Sequence, residues 1–522
     1  MGIMRIMGKM RDRRRFVMKD CSGSAKSGAE APSLARGGAK FWRTFRIVNL
    51  ARRFTCLNTI HFMNPQSFRT TRRSFLKGMA ITTGGIVMPN LLLRAEDNVP
   101  ASRKLGIAAI GCGGKGASDL DAAAKGNEVV AICDVDANNL AKAAAKFPNA
   151  KQYRDFRKML DEVKEIEAVT VSIPDHAHYP AAMHAMALGK HVCVQKPLAN
   201  TLWEARQMHL TAKKKGVITQ MGNQGHTFDD NRMLKEWLDA DVVGKIKAIH
   251  VWTNRPIWPQ GDVVAWKPGP IPANLDWEQW LAATPDHPFS DGVAPFKWRG
   301  FVQWGAGALG DMGCHNMDPI FYALDLGLPQ VIEAKPEELT VIAWPRGCEV
   351  NYHWKAHPKL GDITMTWYEG KNADGTQKLP PVPPELGDTK FGSVGFLIVG
   401  TEGVIYNKAD QCKNPQIFPE KRSQEFLANP PEKKYPRSPK AGQPQEEWTL
   451  AIKNGTAFPF MSQFDYSVPL TELCLIGGLA MRVGKPIEWD SEKLEVVGLP
   501  EAGQFIKRRH YRAGWEYSSA KI

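Results

Sequence analysis

A glycine-rich turn between a short apolar strand and a helix is the first segment whose spacing suggests chemistry. Residues Leu105–Ile110 are apolar, and Gly111, Gly113 and Gly116 follow in the spacing G-x-G-x-x-G before a helical pattern. In such a turn the first glycine permits the tight bend and the second lets a pyrophosphate approach the main chain. The third lets the helix pack closely on the strand, and the helix N-terminus favours an anion. The turn therefore predicts a site for a phosphate-bearing nucleotide.

A carboxylate at the end of the next strand narrows this prediction. The apolar segment Glu128–Asp134 ends in Asp134, which follows Gly116 by 18 residues. A carboxylate at this place accepts hydrogen bonds from the ribose hydroxyls and repels a 2′-phosphate. A glycine pattern alone is common, but the ordered set of strand, glycines, helix, strand and acid predicts NAD rather than NADP.

The elements that must position this turn continue to residue 223. Apolar and helical patterns alternate regularly, with predicted helices at 155–163, 179–190 and 201–216 and predicted strands at 168–174, 191–197 and 217–223. This alternation is typical of a doubly wound parallel sheet. We therefore predict a Rossmann NAD-binding domain over residues 103–223.

A lysine–proline pair at the end of one predicted strand carries the family resemblance. The stretch GKHVCVQKPLA places Lys196 and Pro197 at the carboxyl end of a strand, where such sheets bind ligands. With the glycine turn, with IPDHAH at Ile173–His178 and with GALGDMGCHNMD at Gly307–Asp318, the chain resembles the Gfo/Idh/MocA superfamily of nicotinamide-dependent sugar and polyol oxidoreductases. The resemblance covers residues 103–510 and implies an α/β Rossmann domain followed by an α+β domain.

This resemblance implies the roles of three polar residues. Lys196 would support hydride transfer at the substrate carbon, while Asp311 and His315 on one predicted helix would supply the acid–base function. Residues four apart share one face of a helix, so we expect Asp311 to hold the imidazole of His315 in the cleft. Outside the family context, a lysine at a strand end is usually solvated and an Asp-x-x-x-His pair is usually structural.

The resemblance also implies a set of cofactor contacts. The predicted set is Gly111, Cys112, Gly113, Gly114, Lys115, Gly116, Asp134, Pro174, His178, Gln195, Lys196 and Asn223. Gln195 stands where the family has glutamate, which removes a carboxylate beside Lys196, and Ile173 replaces a small hydroxyl residue. The pattern His176-x-His178 suits a metal, but we interpret it as a loop over the nicotinamide ribose and predict no metal site.

The second half of the chain has a different pattern, and we assign residues 224–510 to a substrate and oligomerisation domain. Segments 245–258 and 363–370 are predicted as antiparallel strands of a large open sheet, whose broad face predicts a homo-oligomer. Trp298, Arg299 and Trp304 precede the predicted catalytic helix. Aromatic faces beside a guanidinium suit a sugar, although most tryptophans are core or interface residues.

The positive charge of the chain is confined to its first residues. Residues 1–77 carry 18 Lys and Arg against 3 Asp and Glu, whereas the remainder carries 50 against 51. A nearly neutral remainder excludes a basic surface for nucleic acid.

The segment that carries this charge contains an export motif. Arg72-Arg73 is followed by Ser-Phe-Leu-Lys and an uncharged run, which predicts a signal for the twin-arginine translocase. The run is too short and too rich in glycine and threonine for a stable membrane span. We assign the signal to residues 63–95 and interpret residues 1–62 as a start-site overcall or a disordered leader. The predicted location is the periplasm.

The cysteines agree with folding before export. Seven of the nine lie beyond the signal and none forms a C-x-x-C pair, so neither a disulfide framework nor a zinc knuckle is indicated. An exported protein finds no nicotinamide pool outside the cytoplasm, so we expect NAD to be loaded first and then retained.

These observations predict an NAD-dependent oxidoreductase acting on a secondary hydroxyl of a sugar, glycoside or cyclitol. Two alternatives remain open. One is an NAD-dependent glycoside hydrolase that uses transient oxidation and elimination. The other is a non-catalytic exported carbohydrate-binding protein, which only Gln195 favours.

Overall fold

The computed structural model describes residues 103–258, 260 and 267–522. The predicted leader, 1–62, and the predicted twin-arginine signal, 63–95, lie outside the described residues, so both stay predictions.

The first part of the described chain alternates strands with helices. Its elements are β1 (Gly106–Ile110), α1 (Lys115–Ala124), β2 (Glu128–Cys133), α2 (Ala137–Lys146), β3 (Lys151–Tyr153), α3 (Phe156–Glu162), β4 (Ala168–Val171), α4 (Asp175–Ala187), β5 (His191–Val194), α5 (Leu202–Lys215) and β6 (Thr219–Met221). The strands form one sheet in the order β3-β2-β1-β4-β5-β6, and every pair in it is parallel. The predicted Rossmann sheet is confirmed. Its order reverses between β1 and β4, which opens a ligand crevice at the carboxyl ends of these strands.

The second part builds a larger sheet. Its elements are α6 (Asp229–Asp239), β7 (Ile246–Thr253), α7 (Trp277–Leu281), α8 (Gly307–Asn316), α9 (Asp318–Leu324), β8 (Val331–Glu337), β9 (Gly347–His357), β10 (Gly361–Glu369), β11 (Gly395–Gly400), β12 (Val404–Asn407), β13 (Gln416–Phe418), α10 (Glu420–Leu427), α11 (Pro444–Lys453), α12 (Phe464–Val483), β14 (Ile487–Asp490), β15 (Glu495–Val496) and α13 (Gly503–Ile506). The strand order is β13-β12-β11-β7-β10-β9-β8-β14-β15. The predicted mostly antiparallel sheet is confirmed.

One pairing in this sheet differs from the prediction. The segments 245–258 and 363–370 were expected to be antiparallel, yet β7 and β10 pair in parallel, with Val251 opposite Trp367. Three helices, α7, α8 and α9, and the hairpin β8–β9 separate them in the chain. β10 therefore returns beside β7 in the same direction, while its other neighbour, β9, is antiparallel.

Helix α8 is held against the longest helix, α12, by small residues. A Cβ at Gly313 of α8 would lie 2.7 Å from Sγ of Cys474, and a Cβ at Gly477 of α12 would lie 2.6 Å from Cδ2 of Leu309. Cys314 of α8 faces Cys474 of α12, with their sulfur atoms 3.7 Å apart. Close packing of this kind fixes the helix whose polar face carries Asp311 and His315.

The packing does not follow the predicted boundary at residue 223. Trp448, Ile452 and Phe460 belong to the same buried cluster as Leu105 and Ile107 of β1. Residues after 510 also cover the Rossmann domain, since Trp515 packs edge-on against Phe156. The apolar outer face of a parallel sheet has to be covered, and late segments of the chain do this here.

Two further properties concern export. None of the helices in the described part of the chain combines the length and the apolar character needed to cross a membrane. The seven cysteines within the described ranges are free thiols and are buried.

Candidate active site

At two places in the glycine turn after β1, a side chain would collide with the main chain. Gly111 has φ +90°, and a Cβ there would lie 2.3 Å from the carbonyl oxygen of Ser172. A Cβ at Gly116 would lie 2.3 Å from the carbonyl oxygen of Gly111, so a side chain would force α1 away from β1. Gly114, by contrast, has no atom within 4 Å of a built Cβ. Its space is open toward the cavity, as a cradle for a phosphate requires.

Asp134 stabilises this turn from the end of β2. Its Oδ2 accepts a hydrogen bond of 2.7 Å from the main-chain N–H of Cys112, and its Oδ1 accepts one of 2.8 Å from Asp136. Burial raises the pKa of Asp134, and these hydrogen bonds oppose that rise. The carboxylate thus lies beside the turn and lines the same cavity.

Most of the predicted site residues line one cavity of about 810 Å³. Of the predicted residues it is lined by Gly111, Gly113, Gly114, Lys115, Gly116, Asp134, Pro174, Gln195, Lys196, Trp298, Arg299 and His315. The volume is within the usual range of cofactor and ligand sites, roughly 300–1,000 Å³.

Lys196 binds Asp311 at one end of this cavity. Its Nζ donates hydrogen bonds of 2.8 Å both to the main-chain oxygen and to Oδ1 of Asp311. Nε of Arg299 donates to the same Oδ1 at 3.1 Å. Although burial raises the pKa of Asp311, the charges of Lys196 and Arg299 outweigh it and lower that pKa to about 2. Asp311 is therefore an anion between two cations.

The expectation that Asp311 holds the imidazole of His315 is wrong. Lys196 and Arg299 both bind Oδ1 of this carboxylate, and Nδ1 of His315 has no hydrogen-bond partner among the described residues. Burial and the charge of Lys196 lower the pKa of His315 to about 3. The imidazole is therefore neutral at ordinary pH and lines the cavity, which suits a group that accepts a proton.

Two family models match consecutive parts of the chain. Residues 105–223 match the model described as "Oxidoreductase family, NAD-binding Rossmann fold", and residues 243–355 match "Oxidoreductase family, C-terminal alpha/beta domain". Both models carry the Gfo/Idh/MocA name. The chain belongs to the Gfo/Idh/MocA oxidoreductase family. Its first domain is an NAD-binding Rossmann domain.

Curated relatives are similar over part of their length. D-glucoside 3-dehydrogenase of Escherichia coli is 28% identical over 227 residues, which are 44% of this chain and 54% of that protein. Levoglucosan dehydrogenase of Pseudarthrobacter phenanthrenivorans is 25% identical over 193 residues, 37% of this chain and 41% of the relative. Inositol 2-dehydrogenase of Salmonella typhimurium is 29% identical over 127 residues, which are 24% of this chain and 38% of the relative. The chain thus spans about half or less of these relatives.

A solved structure confirms the fold of this Gfo/Idh/MocA member. The WlbA dehydrogenase from Bordetella pertussis, in complex with NADH and UDP-GlcNAcA, superposes with a TM-score of 0.52 at 16% identity. The match covers 74% of this chain and 99% of that one.

Five predicted residues of this family member lie outside the cavity wall. They are Cys112, His178, Asn223, Trp304 and Asp311. Asp311 contacts the cavity through Lys196, and Cys112 contributes its main-chain N–H to Asp134. Asn223 is buried, and its side-chain amide has no hydrogen-bond partner within the described part of the chain. Any role of Asn223 toward the cofactor stays a prediction.

The interpretation of His178 as part of a loop over the ribose is wrong. The sequence IPDHAH enters helix α4 at Asp175, and His178 is buried with Nδ1 2.8 Å from the oxygen of Pro197 and Nε2 2.7 Å from that of Ile173. Burial lowers its pKa to about 4. His178 therefore lies between two main-chain segments that border the cavity, and as a neutral imidazole it donates to one of the two carbonyl oxygens. It acts as a structural residue.

Trp298 and Trp304 differ in their surroundings. Trp298 lines the cavity and its ring lies 4.2 Å from the Arg299 guanidinium carbon. Trp304 instead packs against Trp280 and Phe301 with ring centroids 5.8 Å apart in both cases. Sequence spacing placed both before α8, but only the tertiary packing shows that Trp298 lines this cavity and Trp304 does not.

Asp119 is a residue of the site that the sequence reasoning missed. It is buried on α1, and its Oδ2 accepts hydrogen bonds of 2.8 Å from Ser172 and from Nε2 of Gln195. Its Oδ1 accepts from Lys115 at 2.5 Å and from Gln445 at 2.9 Å. This explains the departure at Gln195, because an amide donates to Asp119 whereas a glutamate would repel it. The i, i+4 spacing from Lys115 was the available signal.

Asp175 is the second missed residue. It is buried at the start of α4, lines the cavity and accepts a 3.1 Å hydrogen bond from the N–H of Ala306. Burial raises its pKa to about 7, against the opposing charges of Arg299 and Lys196. A carboxyl group that is half protonated near neutrality can donate or accept a proton. Its position inside IPDHAH was the only sequence signal.

The histidine pair 176–178 forms no metal centre in the part of the chain that the structure describes. No group of three or more His, Cys, Asp or Glu side chains in those ranges has the geometry to hold an ion.

Proposed function

We propose that this protein is an NAD-dependent oxidoreductase that acts on a secondary hydroxyl of a sugar, glycoside or cyclitol. The observation that carries this proposal is that neutral His315 and charged Lys196 line the same cavity as the glycine turn. The relatives named as dehydrogenases of a glucoside, of levoglucosan and of inositol support a substrate of this class.

The residues present suit NAD. The open space at Gly114, the start of α1 and the carboxylate of Asp134 would hold its pyrophosphate and ribose. Bound NAD would supply the acceptor for the hydride that leaves the substrate carbon.

Each side chain then has a defined task. Neutral His315 accepts the hydroxyl proton as general base, and the ammonium group of Lys196 stabilises the negative charge that develops on that oxygen. Asp311 acts on Lys196 rather than on His315, since it fixes the ammonium group through two hydrogen bonds. Trp298 and Arg299 of the cavity wall would contact the substrate.

Redox-assisted glycoside cleavage is a second candidate, and Asp175 favours it. Net cleavage of a glycoside needs a proton for the leaving group as well as a base. Asp175 lies in the same cavity, with a pKa raised to about 7 by burial. Release of nitrophenol from a nitrophenyl glycoside, with no net change in NAD, would distinguish this reaction from simple oxidation.

We further propose that the protein is exported by the twin-arginine translocase with NAD already bound, and that it forms a homo-oligomer. The Arg72-Arg73 motif supports export. The broad sheet of nine strands supports self-association. Mass spectrometry of small molecules released on denaturing protein from the periplasmic fraction tests the first proposal. Stoichiometric NAD or NADH is expected, whereas an empty protein that binds no added NAD would overturn the enzyme reading.

The catalytic assignment is tested with His315→Ala and Lys196→Ala on a panel of sugars, glycosides and cyclitols. Loss of a general base costs roughly 10²–10⁴-fold in turnover. NAD retention should persist in His315→Ala, and near-parental melting temperatures in both variants would separate a catalytic loss from a failure to fold. Near-parental rates in both variants would show that the assignment is wrong.

A further inference from the structure

A second cavity lies beside the candidate active site. It has a volume of about 340 Å³, and its wall includes Phe301 and Trp304 from the segment that follows Trp298 and Arg299. Trp298 and Arg299 line the larger cavity, so this segment separates the two. The smaller volume is at the low end of the range for small-molecule sites, roughly 300–1,000 Å³, and is too small for a dinucleotide.

The charge in this second cavity is entirely positive. Its lining residues include Arg482, Lys507 and Arg508 but no aspartate or glutamate. Arg508 is already paired, because its Nε lies 3.2 Å from the buried carboxylate of Glu204. Arg482 and Lys507 form no ion pair and donate no side-chain hydrogen bond among the described residues.

Aromatic rings hold both of these cations in place. The guanidinium carbon of Arg482 lies 4.1 Å from the ring centroid of Phe505, and Nζ of Lys507 lies 4.3 Å from that of Trp203. Stacking occupies one face of a guanidinium but leaves its N–H edges available for a two-point contact with a carboxylate. Burial also lowers the pKa of Arg482 to about 10, so its charge is partly desolvated without a compensating anion.

The remaining wall suits a ring compound. Its exposed apolar surface comes mainly from Val341 and Ile342, since Trp304 and Trp344 are 2% and 7% exposed, and Asn200, Gln303 and Gln504 contribute polar side chains. Apolar surface favours the C–H faces of a pyranose, while amide groups match its hydroxyls.

We propose that this second cavity is a binding site for a monosaccharide-sized sugar acid, whose carboxylate contacts Arg482 and Lys507. The site is distinct from the candidate active site, because the two cavities share no lining residue. The proposal requires no turnover and does not depend on the proposed reaction.

The test is a calorimetric titration of the full NAD-loaded protein with D-glucuronate, with D-glucose as the neutral match. Glucuronate should bind to the parent, and its affinity should fall about tenfold or more in Arg482→Gln, since a charge-assisted pair is worth about 1.5–3 kcal/mol. Gln504→Glu is the second variant: Gln504 is exposed and accepts a hydrogen bond from Arg509, so the fold tolerates the change. Because Arg509 would pair with the new carboxylate, we expect a smaller fall in affinity than in Arg482→Gln. Arg103→Gln removes an exposed cation outside both cavities and should leave the affinity unchanged.

Lys196→Ala assigns the bound glucuronate to one of the two cavities. Its affinity for glucuronate should equal that of the parent. The proposal is overturned if glucuronate does not bind, if glucose binds with a similar affinity that also depends on Arg482, or if Lys196→Ala abolishes binding while Arg482→Gln and Gln504→Glu do not.

Discussion

Nζ of Lys196 lies 2.8 Å from Oδ1 of Asp311, and Nε of Arg299 lies 3.1 Å from the same oxygen. One carboxylate oxygen therefore holds two cations at the wall of the cavity, and among the described residues no hydrogen bond joins this carboxylate to His315. Positioning of the lysine, rather than of the imidazole, is the task that this geometry gives to Asp311.

Asp311→Asn should lower both the free energy of unfolding and the turnover rate. The variant removes the carboxylate that binds Lys196 and Arg299 and leaves Asp175 as an acid near them. Removing one member of a buried pair costs roughly 3–5 kcal/mol. Urea unfolding followed by tryptophan fluorescence measures this loss. Asp121→Asn is the matched control, because its pair with Lys146 is exposed and should be worth less than about 1 kcal/mol. Equal losses in the two variants would contradict the buried role of Asp311.

Gln195→Glu should weaken NAD binding, because it places a second carboxylate next to Asp119. The two acids would share one hydrogen-bonding position, so one of them would be driven to its protonated form. In the double variant Asp119→Asn/Gln195→Glu, the amide at residue 119 would donate to the carboxylate at residue 195. This variant should recover much of the lost NAD affinity. A titration with NAD on the four proteins of this cycle measures the coupling. Additive losses would show that the contact does not matter for the cofactor.

Gly116→Ala and Gly114→Ala should separate folding from cofactor binding. The methyl group at residue 116 would lie 2.3 Å from a main-chain oxygen, whereas at residue 114 it meets no atom within 4 Å. Gly114 has φ +52°, where alanine is strained, so we expect a drop in melting temperature for both variants and a larger one for Gly116→Ala, which adds the clash. Both should bind NAD at least about tenfold more weakly, as main-chain approach to the pyrophosphate is lost in each. An unchanged NAD affinity in Gly114→Ala would show that the pyrophosphate does not bind at this turn.

Asp175→Asn should change the pH dependence of stability in a defined direction. Burial raises the pKa of Asp175 from 3.8 to about 7 in the folded protein, so between these values the folded state holds a proton that the unfolded chain has released. The contribution of this group to stability is thus present below about pH 4 and is lost as the pH rises toward 7.

Asparagine does not titrate, so the variant should become more stable relative to the parent as the pH increases across this interval. Melting temperatures of both proteins from pH 4 to pH 8 measure the difference. A difference that stays constant over this range would show that Asp175 is ionised throughout.

Local patterns were sufficient for the Rossmann domain and for the loop that binds its cofactor. The apolar strands, the glycine spacing and the alternation with helices all depend on neighbours within a few residues, and the structure confirms them at β1, α1 and β2. The helical spacing of Asp311 and His315 was likewise correct. The parallel pairing of β7 with β10 could not be predicted, since the strands between them decide which edge is free.

The amino-acid sequence by itself thus determined the family, the cofactor class and which segments contribute polar groups to the cavity. Only the tertiary structure decided which of these groups meet. Asp311 pairs with Lys196 across 115 positions of chain, Asp119 with Gln195 across 76, and Gln445 reaches Asp119 across 326. Burial decided the protonation states, because desolvation makes His315 neutral and Asp175 titratable near pH 7. Burial is a property of the packing, and no short sequence pattern encodes it.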